Sequence, residues 1–209
     1  MRLVLLSAVL AINIAAAQEK PKLEQVYRHP KLEVVLPDFP AEGLILDIGG
    51  EGEGVIGQLK GSEVVAIDLI KRELEEAPDG PLLKIVMDAR DLKFLDRSFA
   101  TATVFFTFMY IAPEDQEKVF TEIHRVLKPG GRLLVWDVIF PQKKPDERQL
   151  YIVYPLHVKL PNTEINTGYG VKIQEGRGAA NLAALAFKAG FQLSSQKEEQ
   201  GWFSLEFKK

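Results

Sequence analysis

Apolar and polar positions recur in two different rhythms along this chain, and each change of rhythm marks an element. From residue 44 onward, short apolar runs of strand length are separated by segments with helical spacing. Residues 44–46 predict a first buried strand, followed by a glycine-dense turn at residues 49–54. Residues 55–60 predict a helix, and residues 64–67 a second, β-branched strand ending in Asp68. A charged helical turn or two at 71–77 is closed by Pro78-Asp79-Gly80, and a third strand at 83–87 ends at Asp88. Residues 100–108 form a longer apolar run, in which Phe105, Phe106 and Phe108 read as core strand. Pro113 opens a helix whose Val119, Phe120, Ile123, Val126 and Leu127 fall on one face. Lys128-Pro129-Gly130-Gly131 stops it, and residues 132–138 predict the next strand. Leu182, Leu185, Ala186 and Ala189 mark a last helix capped by Gly190. Residues 191–195 and 202–207 end the chain as two strands around a charged turn.

Seven strands alternating with helices predict an α/β fold: a doubly wound, mostly parallel seven-stranded sheet with helices on both faces. The last two strands, joined by a short turn, must pair antiparallel. Pro21, Pro30, Pro37 and Pro40 break the preceding segment into short helical or extended pieces. Residues 18–42 therefore read as a leader laid over a domain of residues 43–209. Residues 141–177 show no clear period and read as an irregular, substrate-facing insertion.

The first seventeen residues differ from the rest. Met1-Arg2, an apolar run from Leu3 to Ala11 and the small residues Ala15-Ala16-Ala17 have the layout of a signal peptide. The apolar stretch falls short of the ~20 residues a spanning helix needs. The expectation is an exported protein, periplasmic or secreted, with no stable membrane insertion once residues 1–17 are removed. An apolar helix packed on the domain is the alternative, and would leave the protein cytoplasmic.

Composition narrows the chemistry. The 209 residues suit one sizeable core, and a net charge of −3 offers no basic footprint for nucleic acid. The absence of cysteine excludes disulfides and thiolate chemistry. His29, His124 and His157 lie at no metal-ligand spacing. No metal is expected.

Ligands of a doubly wound sheet sit at the carboxyl ends of its strands. After the first strand comes Asp47-Ile48-Gly49-Gly50-Glu51-Gly52-Glu53-Gly54. Glycines there let the backbone turn tightly and approach a ligand, and the next helix offers its N-terminal N–H groups to an anion. Asp68 follows Asp47 by 21 residues, a spacing that suits a ribose diol. Asp88-Ala89 ends the third strand, where it can meet an adenine edge. Each aspartate taken alone reads as a strand-end turn former. The three together with the glycine loop read as a binding site.

The arrangement resembles the class I S-adenosylmethionine-dependent methyltransferases, in particular the type 11 methyltransferase domain family. Ile45-Leu46-Asp47-Ile48-Gly49 is similar to that family's first motif, Val65-Ala66-Ile67-Asp68 to its second and Val86-Met87-Asp88-Ala89 to its third. The run from Phe120 to Val135, with Leu127-Lys128-Pro129-Gly130-Gly131 at its centre, resembles the family's helix and fifth strand. The resemblance implies S-adenosylmethionine as cofactor. Gly49, Gly50, Gly52 and Gly54, next to Asp47, would hold its methionine part, Asp68 its ribose, and Asp88 with Ala89 its adenine. It also implies in-line methyl transfer to a small-molecule acceptor. Candidate bases are Tyr110, Asp137 and His157, and Tyr151, Tyr154, Lys159 and Tyr169 join His157 in shaping the acceptor pocket. No oligomeric state follows from the sequence.

Two departures keep other readings open. Glu51 and Glu53 stand where the family loop carries glycines, as if one residue had been inserted. With an export signal, which would separate an enzyme from its donor, this leaves a non-catalytic binding module as an alternative. Gly52-Glu53-Gly54-Val55-Ile56-Gly57 also spells a dinucleotide fingerprint, the mark of an NAD(P)-dependent oxidoreductase. It begins five residues past Asp47, too far from its strand. Tyr27 and Lys31 have dehydrogenase-like spacing but precede the first strand of the sheet.

Overall fold

The computed structural model describes residues 21–50 and 52–209; the expected signal peptide and Glu51 lie outside the described residues. In chain order come β1 (Val26–Arg28), β2 (Leu32–Val35), β3 (Ile45–Ile48), α1 (Val55–Lys60), β4 (Val64–Asp68), α2 (Lys71–Glu76) and β5 (Leu83–Val86). Then follow β6 (Phe99–Phe105), α3 (Pro113–Val126), β7 (Leu127–Val138), β8 (Tyr151–Lys159) and β9 (Glu164–Lys172). The chain ends with α4 (Ala179–Lys188), β10 (Gln192–Glu199) and β11 (Trp202–Lys208).

Seven of these strands form one sheet in the order β10-β11-β7-β6-β3-β4-β5. The pairs from β7 across to β5 are parallel, and β11 runs antiparallel to both its neighbours. Every residue of β3 and β4 is buried, as expected for parallel strands covered on both faces. On one face, Leu46, Ile48, Val65, Ile67, Ala102 and Val135 pack against the apolar sides of α3 and α4. Pro113 opens α3, Glu114 and Asp115 sit in its first turn and Arg125 in its last, so its charges complement the helix dipole.

The other face adds a second sheet to the doubly wound arrangement. It is covered by the short helices α1 and α2 and by a second sheet, in which β8 pairs in parallel with β1 and β2 and antiparallel with β9. Leu32, Val34, Ile152, Tyr154, Leu156 and Val158 from this sheet share one core with Ile45, Val64, Ala66 and Leu134 of the larger one. Residues 141–177 are thus not irregular: most of them form the β8–β9 hairpin. The leader is woven into the same sheet. Pro155, which has no N–H to donate, falls opposite the gap between β1 and β2, where Pro30 and Lys31 leave the ladder. Among the described residues no helix is long and apolar enough to cross a membrane.

Candidate cofactor and acceptor site

The loop after β3 is held flat against β4. The N–H groups of Gly49 and Gly50 both donate to the carbonyl of Ile67, at 2.8 and 3.2 Å. Gly49 has φ +71°, and a Cβ there would run into the side chain of Thr107. A Cβ on Gly50 would stand 2.6 Å from the Ala66 Cβ and 2.8 Å from Asp47 Oδ2. Only glycine fits at either place. Gly52 and Gly54 serve the turn itself, at φ +59° and +55°, with Gly52 donating to the Glu73 carbonyl of α2 at 3.2 Å. Glu53 is drawn away to β9, where Thr167 donates its hydroxyl to the Glu53 carboxylate.

A cavity of about 490 Å³ opens where β3, β4, β5 and β6 end. Gly49, Asp68, Asp88, Ala89, Thr107 and Tyr110 supply its polar and close-approach positions, with Ile48, Ile67, Met87 and Val119 among its apolar walls. Asp68 is 8% exposed; its Oδ1 accepts the Ile70 N–H at 2.6 Å, and among the described residues nothing donates to its other oxygen. Asp88 is already engaged. Arg90 grips both its oxygens through Nε and Nη2 and reaches Asp115 on α3 through Nη1 at 2.7 Å. Those bonds hold the Asp88 carboxyl below its ordinary range. The end of the cavity where Asp88 and Ala89 were expected to meet adenine thus presents an Asp88–Arg90–Asp115 clasp.

Several expected site residues lie elsewhere. Gly52 and Gly54 do not line the cavity. Asp47 and Gly50 face a small void of about 10 Å³ beneath the loop, shared with Val55, Ile56, Phe105 and Tyr169. Asp47 is buried and accepts from Thr103 at 2.7 Å; burial pushes its pKa up to about 7. Asp137 turns to the helical face of the sheet and accepts the N–H groups of Val138 at 2.7 Å and Met109 at 3.1 Å. Burial pushes it, too, up to about 7. His157 sits on the hairpin between Glu33 of β2 and Glu164 of β9, at 2.8 and 3.1 Å. Neither residue touches the cavity, so of the three candidate bases only Tyr110 remains at it. Tyr151, Tyr154 and Lys159 are also absent from its walls. Tyr154 is core, with its hydroxyl donating to the Ile139 carbonyl at 3.1 Å.

The strand ends earlier than its apolar run suggests. After Phe105, Phe106 takes φ +52°, and a 3₁₀ turn at Phe108–Tyr110 carries Tyr110 to the cavity. Thr107 and Arg90 were not legible as site residues. Thr107 lay inside an apolar strand pattern, and Arg90 in a charged loop with no period. Asp115 was visible only as an acid in a helix first turn.

With this geometry in view, comparison with known proteins is direct. Residues 46–135 match the methyltransferase domain family. A ubiquinone/menaquinone biosynthesis C-methyltransferase from Desulfotalea psychrophila is 30% identical over 169 residues, which cover 77% of this chain and 62% of that protein. A demethylmenaquinone methyltransferase from Thermotoga maritima is 31% identical over 140 residues, 63% of this chain and 58% of that protein. The chain spans about three fifths of the length of these relatives. Among solved structures, an S-adenosylmethionine-dependent methyltransferase from Methanosarcina mazei superposes with a TM-score of 0.60 at 21% identity, covering 82% of this chain and 94% of that one. Phosphoethanolamine N-methyltransferase 2 from Haemonchus contortus, solved in complex with S-adenosylmethionine, gives 0.58 at 17% identity, covering 82% and 50%.

The sheet order, the glycine loop and the strand-end cavity define a Rossmann-like methyltransferase fold. Over residues 46–135 the chain is similar to the methyltransferase domain family, and its fold is that of the S-adenosylmethionine-dependent methyltransferases among the solved structures. The residues present fit S-adenosylmethionine as cofactor: the cavity has the volume of a small-molecule site, Gly49 brings its backbone to the cavity wall, and Asp68 keeps one carboxylate oxygen free for a hydroxyl.

Proposed function

We propose that this chain transfers a methyl group from S-adenosylmethionine to a small organic acceptor, with the acceptor entering beside Thr107 and Tyr110. The observation that carries the reading is the convergence of Gly49, Asp68 and Asp88 on one cavity. When bound, the cofactor supplies an electrophilic methyl carbon on a sulfonium that is itself the leaving group. The protein's share is alignment, which can supply much of the rate by holding nucleophile and carbon at reacting distance. Asp68 would accept from the ribose hydroxyls, Gly49 would let the backbone approach the methionine part, and Ala89 with the Asp88–Arg90 pair would border the adenine. Proton removal, where an acceptor needs it, would fall to Tyr110.

The names of the relatives support a finer version, in which the acceptor is a ring carbon of a quinone-type molecule. The apolar residues Leu69, Ile70, Ile111 and Ala112 along the cavity are compatible with such a ring. Residues 1–17 keep their reading as a signal peptide, and the mass of the mature protein's N-terminus tests it.

Titration calorimetry with S-adenosylmethionine tests the main reading, with NADH as the competing ligand. The expected result is binding of S-adenosylmethionine alone, weakened about ten- to a hundredfold in Asp68→Ala, as for loss of a charge-assisted hydrogen bond. Folded protein that binds neither ligand would overturn it. Label transfer from methyl-labelled S-adenosylmethionine to a demethylated menaquinone, set against a catechol, tests the finer version.

A further inference from the structure

Four polar side chains from three parts of the chain meet around the 3₁₀ turn that follows β6. Asp137, in β7, accepts the Met109 N–H through Oδ2 at 3.1 Å. Gln116, on α3, donates through Nε2 to the carbonyls of Phe108 at 2.9 Å and Ile111 at 3.0 Å. Gln174, two residues beyond β9, donates to the Met109 carbonyl at 2.9 Å. Arg177, just before α4, donates to the side-chain oxygens of both glutamines. Asp137 and Gln116 are almost wholly buried.

What these groups hold is an unusual piece of backbone. Phe106 keeps φ +52° with its ring in the core, a conformation that L residues hold only when their surroundings enforce it. Phe108 and Met109 then point into the interior, while Thr107 and Tyr110 on either side line the cavity. Asp137 is aimed at the turn's N–H groups and the glutamines at its carbonyls. The cluster is spent on the backbone of the turn and makes no contact with the cavity.

We propose that Asp137, Gln116, Gln174 and Arg177 are a positioning frame that sets the Phe108–Tyr110 turn, and through it places Tyr110 and Thr107 at the methyl end of the cavity. Asp137 is then a positioning residue and not a base. Gln174 extends the frame to the β8–β9 hairpin, whose Thr167 also holds Glu53 of the glycine loop. One hairpin thus braces both the cofactor loop and the turn that faces the acceptor. The inference rests on the methyltransferase reading of the cavity.

S-adenosylmethionine and S-adenosylhomocysteine differ only in the methyl group and the charge on sulfur, so the ratio of their affinities reports on that end of the site. Both are titrated into the full chain, Asp137→Asn, Gln174→Leu, Tyr110→Ala and the Asp137→Asn/Tyr110→Ala double variant. Asparagine keeps the shape of Asp137 but replaces one of its two accepting oxygens, Oδ2 for Met109 or Oδ1 for Val138, with an NH2 group. In Asp137→Asn and Gln174→Leu the ratio is expected to shift at least about threefold, and in the Tyr110→Ala background the Asp137 substitution should move it no further. Should Asp137→Asn fail to fold, Gln174→Leu, at a half-buried position, carries the same test. Folded variants that bind both ligands with an unchanged ratio would overturn the frame while leaving the methyltransferase reading intact. Binding of neither ligand to the unaltered protein would remove that reading and the frame with it.

Discussion

Thr103 on β6 donates its hydroxyl to Oδ1 of Asp47 on β3 at 2.7 Å, between residues that face each other in register across two parallel strands. Burial raises the Asp47 carboxyl from an ordinary value of 3.8 to about 7, the Thr103 bond opposes that rise and nearby Asp68 adds to it. Below the ordinary value the folded and unfolded chains both hold the proton. Between the two values only the folded chain holds it, so the stability tied to this group is lost as pH rises towards 7. Asp137 has the same sign. The urea midpoint should therefore fall between about pH 4 and about pH 7. Asp47→Asn should flatten part of that slope; an equally steep slope in the variant would show that Asp47 is ionised throughout.

Gly49→Ala should damage the site more than its size suggests. The new Cβ needs φ near +71° and the space occupied by the Thr107 side chain, so both the loop and the turn after β6 must shift. Strain of about 1–3 kcal/mol is expected in thermal unfolding, together with weakened S-adenosylmethionine binding. The double variant Gly49→Ala/Thr107→Ser should recover part of the binding, since it removes one of the atoms in the way.

Arg90→Leu separates affinity from stability. The Arg90 side chain is 40% exposed, so solvent screens its ion pairs and they add little to folding. Its removal nevertheless frees Asp88 and leaves it with Asp115 as two unbridged carboxylates at one end of the cavity. The variant should melt within a few degrees of the unaltered protein yet bind S-adenosylmethionine several-fold more weakly. A large fall in melting temperature would instead make the clasp a structural device.

Deleting residues 1–36 should abolish soluble expression. Leu32, Val34 and Leu36 are almost fully buried, and each contributes about 1.5–3 kcal/mol by burial. That sum rivals the whole net stability of a domain, about 5–15 kcal/mol. The deletion also bares one edge of β8, an invitation to pair with other chains. A chain beginning at Gln18 retains every element described and should stay soluble, as size-exclusion chromatography would show.

The seven-stranded sheet was legible because its cues are local. Residues 44–46 and 64–67 are short apolar runs bounded by turn residues, and Pro113 and Gly130-Gly131 punctuate the helix between β6 and β7. Gly49, Asp68, Asp88 and Ala89 could be found for the same reason: in a parallel sheet, a residue at the end of a strand is already at the site. Even β8 left a trace, in the period-two series Ile152, Tyr154, Leu156 and Val158, although Val153 and Pro155 between them blur the polar alternation.

Tertiary structure alone decided where the long-range partners went. Pairing of β8 with the leader joins residues more than a hundred positions apart, and no local rhythm encodes which edge a strand will meet. Asp137 and His157 had the right chemistry for a base, but one faces the backbone of a turn and the other two glutamates on the hairpin. Side-chain direction at a strand end depends on which face the pleat presents, and a single left-handed residue, Phe106, redirects everything after it. The sequence by itself carried the likeness to the methyltransferases and the glycine-loop and aspartate end of the cavity, because both are built from residues close in the chain. The acceptor end, the Arg90 clasp and the frame around Tyr110 are assembled from distant segments, and only folding brings them together.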